Sequence, residues 1–317
     1  MKGFDFGSKG SWLASYSASY EPQWLCESVV LKGGLNILLG APKARKSHLR
    51  RYLLACMLKG VPALGFKTSQ IQRALVLIGE SALEAEAALM WQVCAALDVK
   101  DGGKRVWLEK PLGFNITSGL DLTELVEFVQ KHKFDIVILD PLINFHYGEE
   151  NDAASMGKVC RSLLILAEHT TVLLVHHSAK PSEADEQKTV GQMGRGSSVL
   201  AGAADVSLLL QRRGESDAGR LRFETRHAWE PEPLEVMFDG DTGLWLPRDE
   251  APTLESRVRE ALSLDPTLSG NKLREMLHAR RTDVYAALKA IRGPEEAVPG
   301  GVPAAVAQGH STLTLIP

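Results

Sequence analysis

The sequence predicts an α/β fold: a mostly parallel sheet, followed by a small C-terminal winged helix-turn-helix domain. Three observations lead there. Short apolar runs that end in a polar or acidic residue alternate with helical stretches, the pattern of strands buried on both faces by crossover helices. These runs are 35–40, 73–80, 134–140 and 171–177. A second set, 205–211, 221–225 and 234–238, is joined by turns instead of helices and reads as an antiparallel extension at one edge. Beyond a break at Pro247-Arg-Asp-Glu-Ala-Pro252, three short helical patterns precede a strand-like tail.

Each element follows from its residues. Residues 1–32 are aromatic-rich and irregular, with Trp12, Tyr16, Tyr20 and Trp24, and read as a lead-in that packs on the main domain or on a neighbour. The main domain is expected over 33–247. Its first strand and loop lead into a helix over 48–58, which the Gly60–Gly65 stretch breaks. Ser81 is placed to cap a helix over 82–97, with Glu84 at the capping-box position. Residues 105–108 form a short strand, and 121–132 an amphipathic helix. A polar loop over 145–154 leads to a helix ending near His169, and 178–198 is polar, glycine-containing and poor in core residues. In the second domain, 253–317, helices over 255–264, 271–279 and 281–291 precede a Pro/Gly turn at 294–301 and a strand over 310–316.

Composition narrows the function classes. A length of 317 residues suggests about two domains. The net charge of −3 excludes a uniformly basic nucleic-acid coat, so any such surface is local. The four cysteines (Cys26, Cys56, Cys94, Cys160) form no CxxC pair, which argues against a zinc site or a disulfide framework and for reduced thiols in a cytoplasmic protein. The N-terminus lacks the apolar core of a signal peptide, and no run of apolar residues is long enough to span a membrane.

The chemistry concentrates in one loop. Gly40-Ala41-Pro42-Lys43-Ala44-Arg45-Lys46-Ser47-His48 follows an apolar strand and opens a helix, the context a phosphate-binding P-loop requires. Backbone N–H groups of the loop and of the helix N-terminus point at anionic oxygens. Lys46 is placed to reach the β- and γ-phosphates of ATP, and Ser47 to hold Mg2+. Arg45 stands where the motif has glycine, the residue that permits close backbone approach. Asp140, closing Ile-Val-Ile-Leu, has the form of a Walker B acid and is expected to hold Mg2+ directly or through water. Glu80, at the end of the strand after the P-loop helix, is expected to act as general base on the attacking water. Of the adjacent pair His176 and His177, which point to opposite faces of a strand, His177 is expected to sense the γ-phosphate. Arg226 is the first choice for an arginine finger reaching a neighbouring subunit, and Arg195 the second.

Several segments together carry a family resemblance. They are Gly33-Gly34-Leu35 before the P-loop, Gly79-Glu80-Ser81, Asp140-Pro141-Leu142 with His146 and Glu150-Asn151, His176-His177, and Arg195-Gly-Ser-Ser-Val-Leu-Ala-Gly. Over about residues 24–245 this ordered set resembles the RepA-like hexameric replicative helicases, RecA-type P-loop ATPases. The resemblance implies a RecA-like core, a homo-hexameric ring with ATP between subunits, and single-stranded DNA through its centre. Lys46, Ser47, Glu80, Asp140 and His177 would carry the nucleotide roles. Loops 145–155 and 178–196 would face the channel, with Lys180, Lys188 and Arg195 on DNA phosphates and Met193 on bases.

The chain departs from that family at three places. Arg45 replaces the P-loop glycine. Ala203-Ala204-Asp205 lacks the arginine that some members carry there. Glu183, Asp185 and Glu186 put acids in a loop assigned to a DNA channel. In the C-terminal domain, Arg280, Arg281, Thr282 and Tyr285 lie near the start of a recognition helix, so this domain is expected to bind duplex DNA or to dock a protein. The alternative to a motor is a nucleotide-gated DNA-binding or regulatory ATPase: a replication accessory, recombination mediator or mobile-element scaffold.

Overall fold

The computed structural model describes residue 13 and residues 19–178, 189–193, 198–212, 217–248, 254–277, 279 and 281–292. The chain divides into two compact units, Met1–Asp249 and Glu250–Pro317.

Among the described residues of the first unit, nine strands form one sheet. Two short strands precede it, β1 (Trp24–Cys26) and β2 (Val30–Leu31), paired antiparallel. The sheet strands follow in chain order: β3 (Leu35–Gly40), β4 (Ala74–Ile78), β5 (Val106–Glu109), β6 (Ile136–Asp140), β7 (Thr171–His177), β8 (Val206–Arg212), β9 (Ala218–Thr225), β10 (Leu234–Phe238) and β11 (Trp245–Pro247). Their spatial order is β11-β10-β9-β8-β3-β7-β6-β4-β5. The six strands from β8 to β5 run parallel, and β9, β10 and β11 add antiparallel pairings beyond β8. The fold is therefore mixed α/β on a large, mostly parallel sheet, as the alternation of strands and helices predicts, and the antiparallel extension lies at the expected edge.

Helices cover both faces of the parallel part. They are α1 (Lys46–Lys59), α2 (Leu83–Ala96), the single turn α3 (Gly102–Arg105), α4 (Gly119–His132), α5 (Ala153–Ala167) and α6 (Ser198–Ala203). Successive strand residues feed two cores. Leu38, Val76, Ile138 and Val175 pack with α1 and α2, while Ile37, Leu39, Val137 and Leu174 pack with α4 and α5. Period-two side chains buried on both sides produce the near-continuous apolar runs seen in the sequence. Buried Asn36 replaces an apolar residue in β3 for a reason: its amide donates to the carbonyls of Leu31, Gly34 and Val172, and its oxygen accepts from Leu31 N. This ties the β1–β2 hairpin to the sheet.

Three local readings change. Residues 24–31, irregular by sequence, form that hairpin and bury Leu25, Cys26 and Val30; strands of three and two residues are too short to show a period. Ser81 does not cap α2. The N-cap is Ala82, with no side-chain hydrogen bond, and the first-turn acid Glu86 points into the interior at 1% exposure. Met193 is 3% exposed, because a single 3-10 turn folds it into the core beside α5 and α6, so it has no face for a nucleobase. By contrast, α4 has a regular cap, with Ser118 Oγ accepting from Asp121 N.

All four cysteines are buried and unpaired. Among the described residues, no helix is long and apolar enough to cross a membrane.

The second unit, described by itself, holds α7 (Leu254–Leu264), α8 (Gly270–Met276) and α9 (Arg281–Arg292) around Val258, Ala261, Leu273, Val284 and Leu288. Ser269 caps α8. The strand expected over 310–316 lies outside the described residues, as does the turn at 294–301.

Candidate functional site

The site forms where β3, β6 and β7 end together, the C-terminal edge at which ligands of open α/β sheets collect. Gly40 closes β3. A Cβ there would lie 2.9 Å from Leu210 O and 3.1 Å from Lys46 Cγ, so only glycine lets the lysine fold back over the strand end. Lys46 opens α1 with its side chain buried. Its ammonium donates to the carbonyls of Gly40 (2.9 Å) and Ala41 (3.0 Å) and to Nδ1 of His177 (3.2 Å). Because an ammonium has no lone pair to offer, Nδ1 accepts and the imidazole proton sits on Nε2. Burial pulls the Lys46 pKa down to about 8, against the opposing pull of Asp140 and Glu80.

Asp140 ends β6 at 7% exposure. Ser47 Oγ donates to its Oδ1 at 3.1 Å. Arg50, one turn along α1 and fully buried, donates to its Oδ2 from Nε (3.2 Å) and Nη2 (3.0 Å). Arg50 Nη2 also reaches Glu86 Oε1 at 2.7 Å, and Arg51 grips Glu86 from Nε (2.9 Å) and Nη2 (2.5 Å). Burial opposes the Arg50 charge, but Asp140 and Glu86 outweigh it and hold its pKa above the usual guanidinium range. Burial likewise opposes ionisation of Glu86, and Arg50 and Arg51 together hold it below the usual carboxylate range. Two acids and two arginines thus close a buried, charge-balanced network among α1, β6 and α2.

Sequence reasoning missed Arg50, Arg51 and Glu86. Their signal was faint: two arginines inside a helix whose other residues, Leu49 and Leu53 to Leu58, are almost all apolar.

Glu80 lies two residues beyond β4 with its side chain exposed. Its carboxylate makes no hydrogen bond among the described residues, while its carbonyl and that of Ser81 lie within reach of Lys110 Nζ. The chain can turn there because Gly79 has no side chain: a Cβ would meet Asn144 Cβ at 2.5 Å. His176 and His177 do face opposite ways. His177 meets Lys46, and His176 Nδ1 lies 3.5 Å from Glu150 Oε1.

The loop carries a second arginine contact. Lys43 and Arg45 both take left-handed backbone, at φ 63 and φ 69, a conformation that costs a non-glycine residue about 1–2 kcal/mol. Arg45 is anchored there from the antiparallel side of the sheet. Its guanidinium pairs with Asp217 at 2.6 Å and lies over the Phe238 ring, 4.4 Å from the centroid. His48 packs edge-on to the same ring at 4.9 Å, and burial followed by the Arg51 and Arg45 charges pushes its pKa down to about 4. Arg212 Nη1 flanks the loop at 3.5 Å from Lys43 O.

Other expected residues lie elsewhere. Arg226 follows β9 at the far end of the sheet, where its guanidinium donates to Gly202 O. It borders a cleft of about 350 Å³ with Gln192, Asp205, Ser207 and Glu224. The fold does not bring it to its own P-loop. Arg281 begins α9 with its guanidinium 5.5 Å from the Tyr285 ring centroid. Lys180, Lys188, Arg195 and Arg280 lie outside the described residues.

The donor set fits magnesium. A serine hydroxyl beside a carboxylate supplies hard oxygens, and Mg2+ in phosphate sites takes few protein ligands and keeps waters. Among the described residues, no group of three or more His, Cys, Asp or Glu side chains could hold a metal ion.

Comparison with known families decides the broader assignment. Residues 12–183 match AAA_25, an AAA domain. The chain belongs to the AAA_25 family. Its first unit is therefore an AAA-type P-loop ATPase domain, with the phosphate loop, Asp140 and His177 inside the matched span. No curated protein matches the chain. Among solved structures, the "ATPase Domain of G40P" is similar at 14% identity, covering 68% of this chain and 85% of that one, with a TM-score of 0.49.

Proposed function

We propose that this AAA_25 member is an ATP- and Mg2+-dependent motor of RecA type that acts on single-stranded DNA as a homo-oligomeric, hexameric ring. One observation carries the reading: at three adjacent strand ends, Lys46 meets His177 and Ser47 meets Asp140, each pair within hydrogen-bonding distance. A triphosphate at the loop would draw the Lys46 ammonium from the Gly40 and Ala41 carbonyls onto its β- and γ-oxygens. The neutral His177 ring, which Lys46 now engages through Nδ1, would then follow the γ-phosphate. Ser47 and Asp140 would hold Mg2+, which neutralises charge on the phosphates. Glu80, with its carboxylate unengaged, would orient the attacking water, and Arg226 of a neighbouring subunit would stabilise the transition state. Lys180, Lys188 and Arg195 would meet DNA phosphates, and the C-terminal helices with Arg280 and Arg281 would bind duplex DNA or a protein. Family resemblance in the ordered motifs supports the DNA and ring assignments.

A second reading, a nucleotide-gated regulatory ATPase without unwinding, is favoured by one feature. Asp205, at the place where some relatives carry an arginine, is locked into the sheet, accepting from Leu35 N at 2.9 Å and pairing with His227 at 2.9 Å.

ATP hydrolysis measured with and without single-stranded DNA, with assembly mass read in the same samples, separates the two. Stimulated hydrolysis by a ring supports the motor. Hydrolysis by intact rings that ignores DNA rejects it.

A further inference from the structure

The buried network behind Asp140 is more than packing. We propose that Arg50 is a resident counter-cation and positioning residue for Asp140, one that keeps divalent metal from binding until a triphosphate brings it. The inference rests on the nucleotide-site reading given above and deepens it.

Both carboxylate oxygens of Asp140 are already assigned. Oδ2 accepts two N–H groups of Arg50, and Oδ1 accepts the Ser47 hydroxyl. Arg50 has no exposure to water, so solvent does little to screen its charge, which Asp140 shares with Glu86. Glu86 fixes where that charge sits. It takes Arg50 Nη2 on Oε1 and is itself held by two Arg51 donors, so the guanidinium cannot swing away from β6. The protein alone thus presents a metal with one hydroxyl and one neutralised carboxylate. The negative charge that recruits the cation has to arrive with the phosphates. Arg50 also orients Asp140 so that Oδ1, not Oδ2, faces Ser47 and polarises its hydroxyl.

Opposite shifts from two substitutions test this. Binding of a fluorescent ATP analogue is measured while Mg2+ is titrated, and Mn2+ binding to nucleotide-free protein is measured by electron paramagnetic resonance. Arg50→Met frees the Asp140 charge, so half-saturating Mg2+ should fall at least tenfold and Mn2+ should bind without nucleotide. Arg50→Lys keeps the charge and should stay within about threefold of the parent. Glu86→Gln leaves Asp140 as the one acid facing Arg50, so half-saturating Mg2+ should rise.

A purely structural role for Arg50 would shift Arg50→Met and Glu86→Gln in the same direction. That result overturns the proposal, as does an unchanged Mg2+ dependence in an Arg50→Met protein with native circular dichroism. If Arg50→Met does not fold, Glu86→Gln and Arg50→Lys decide: an unchanged or lowered Mg2+ requirement in the first, or a large shift in the second, rejects it. Failure of the parent protein to bind the analogue at saturating Mg2+ would instead remove the nucleotide-site reading itself.

Discussion

The parallel and antiparallel parts of the sheet handle charge in opposite ways. Beside the end of β6, ionic groups are buried and matched: Arg50, Arg51, Glu86 and Asp140 are each under a tenth exposed and hold one another in fixed geometry. On the antiparallel strands, charges stay half in water. Asp217 is 43% exposed in its pair with Arg45, and Arg220 and Glu235 pair at 34% and 33%. Burial strengthens a charge and fixes its partners, whereas exposure leaves it weak and adjustable. The parallel part therefore suits bond-making chemistry, and the antiparallel part suits steering the loop from outside.

That contrast can be broken by substitution. The largest effect is expected from Lys46→Ala, which should lower ATP hydrolysis by ~10²–10³-fold and weaken nucleotide binding, read by turnover assays and analogue titration. Glu80→Gln should slow turnover by ~10²–10³-fold while nucleotide affinity stays near the parent value, because the side chain acts on water and not on the phosphates. Equal loss of binding and turnover would remove the base assignment.

Proton dependence sharpens the comparison. Lys46 must be protonated to hold an anion, and its pKa of about 8 belongs to the nucleotide-free protein. Bound phosphate charge raises that value. Affinity should be flat below pH 8, then fall with rising pH by up to about tenfold per unit until the bound-state pKa is reached. An affinity that stays level from pH 7 to 9.5 would contradict it.

The smallest effect is expected at Arg45. Arg45→Ala loses the Asp217 and Phe238 contacts and keeps the left-handed strain, while Arg45→Gly loses the same contacts and relieves the strain. The glycine variant should be the more stable by about 1 kcal/mol, a melting difference of about 2–4 °C by calorimetry. Identical melting points would mean that the loop leaves the left-handed region once the arginine is gone.

Much of this was legible in the residues. The strand runs, the phosphate loop, Asp140 and the turn-linked edge strands all showed because apolar continuity and the residues that interrupt it are local signals. Arg50, Arg51 and Glu86 did not show, because a charged helix residue is normally a solvated one and only its partner on another element reveals burial. By the motif alone, Arg45 is a lost glycine. The structure places an arginine in glycine's conformation, held by a carboxylate and a ring that lie 172 and 193 positions downstream, beyond the reach of any motif. Ser81 misled for a related reason: the first turn of α2 answers to the arginines of α1 and not to its own cap.

One further property follows from β9. It begins beside Asp217, which grips the P-loop, and ends beside Arg226 on the opposite rim. Its eight residues span roughly 25 Å and are laddered to β8 along their length. The ladder to β8 fixes the separation of the two rims, so one strand sets both where Asp217 meets the loop and where Arg226 stands.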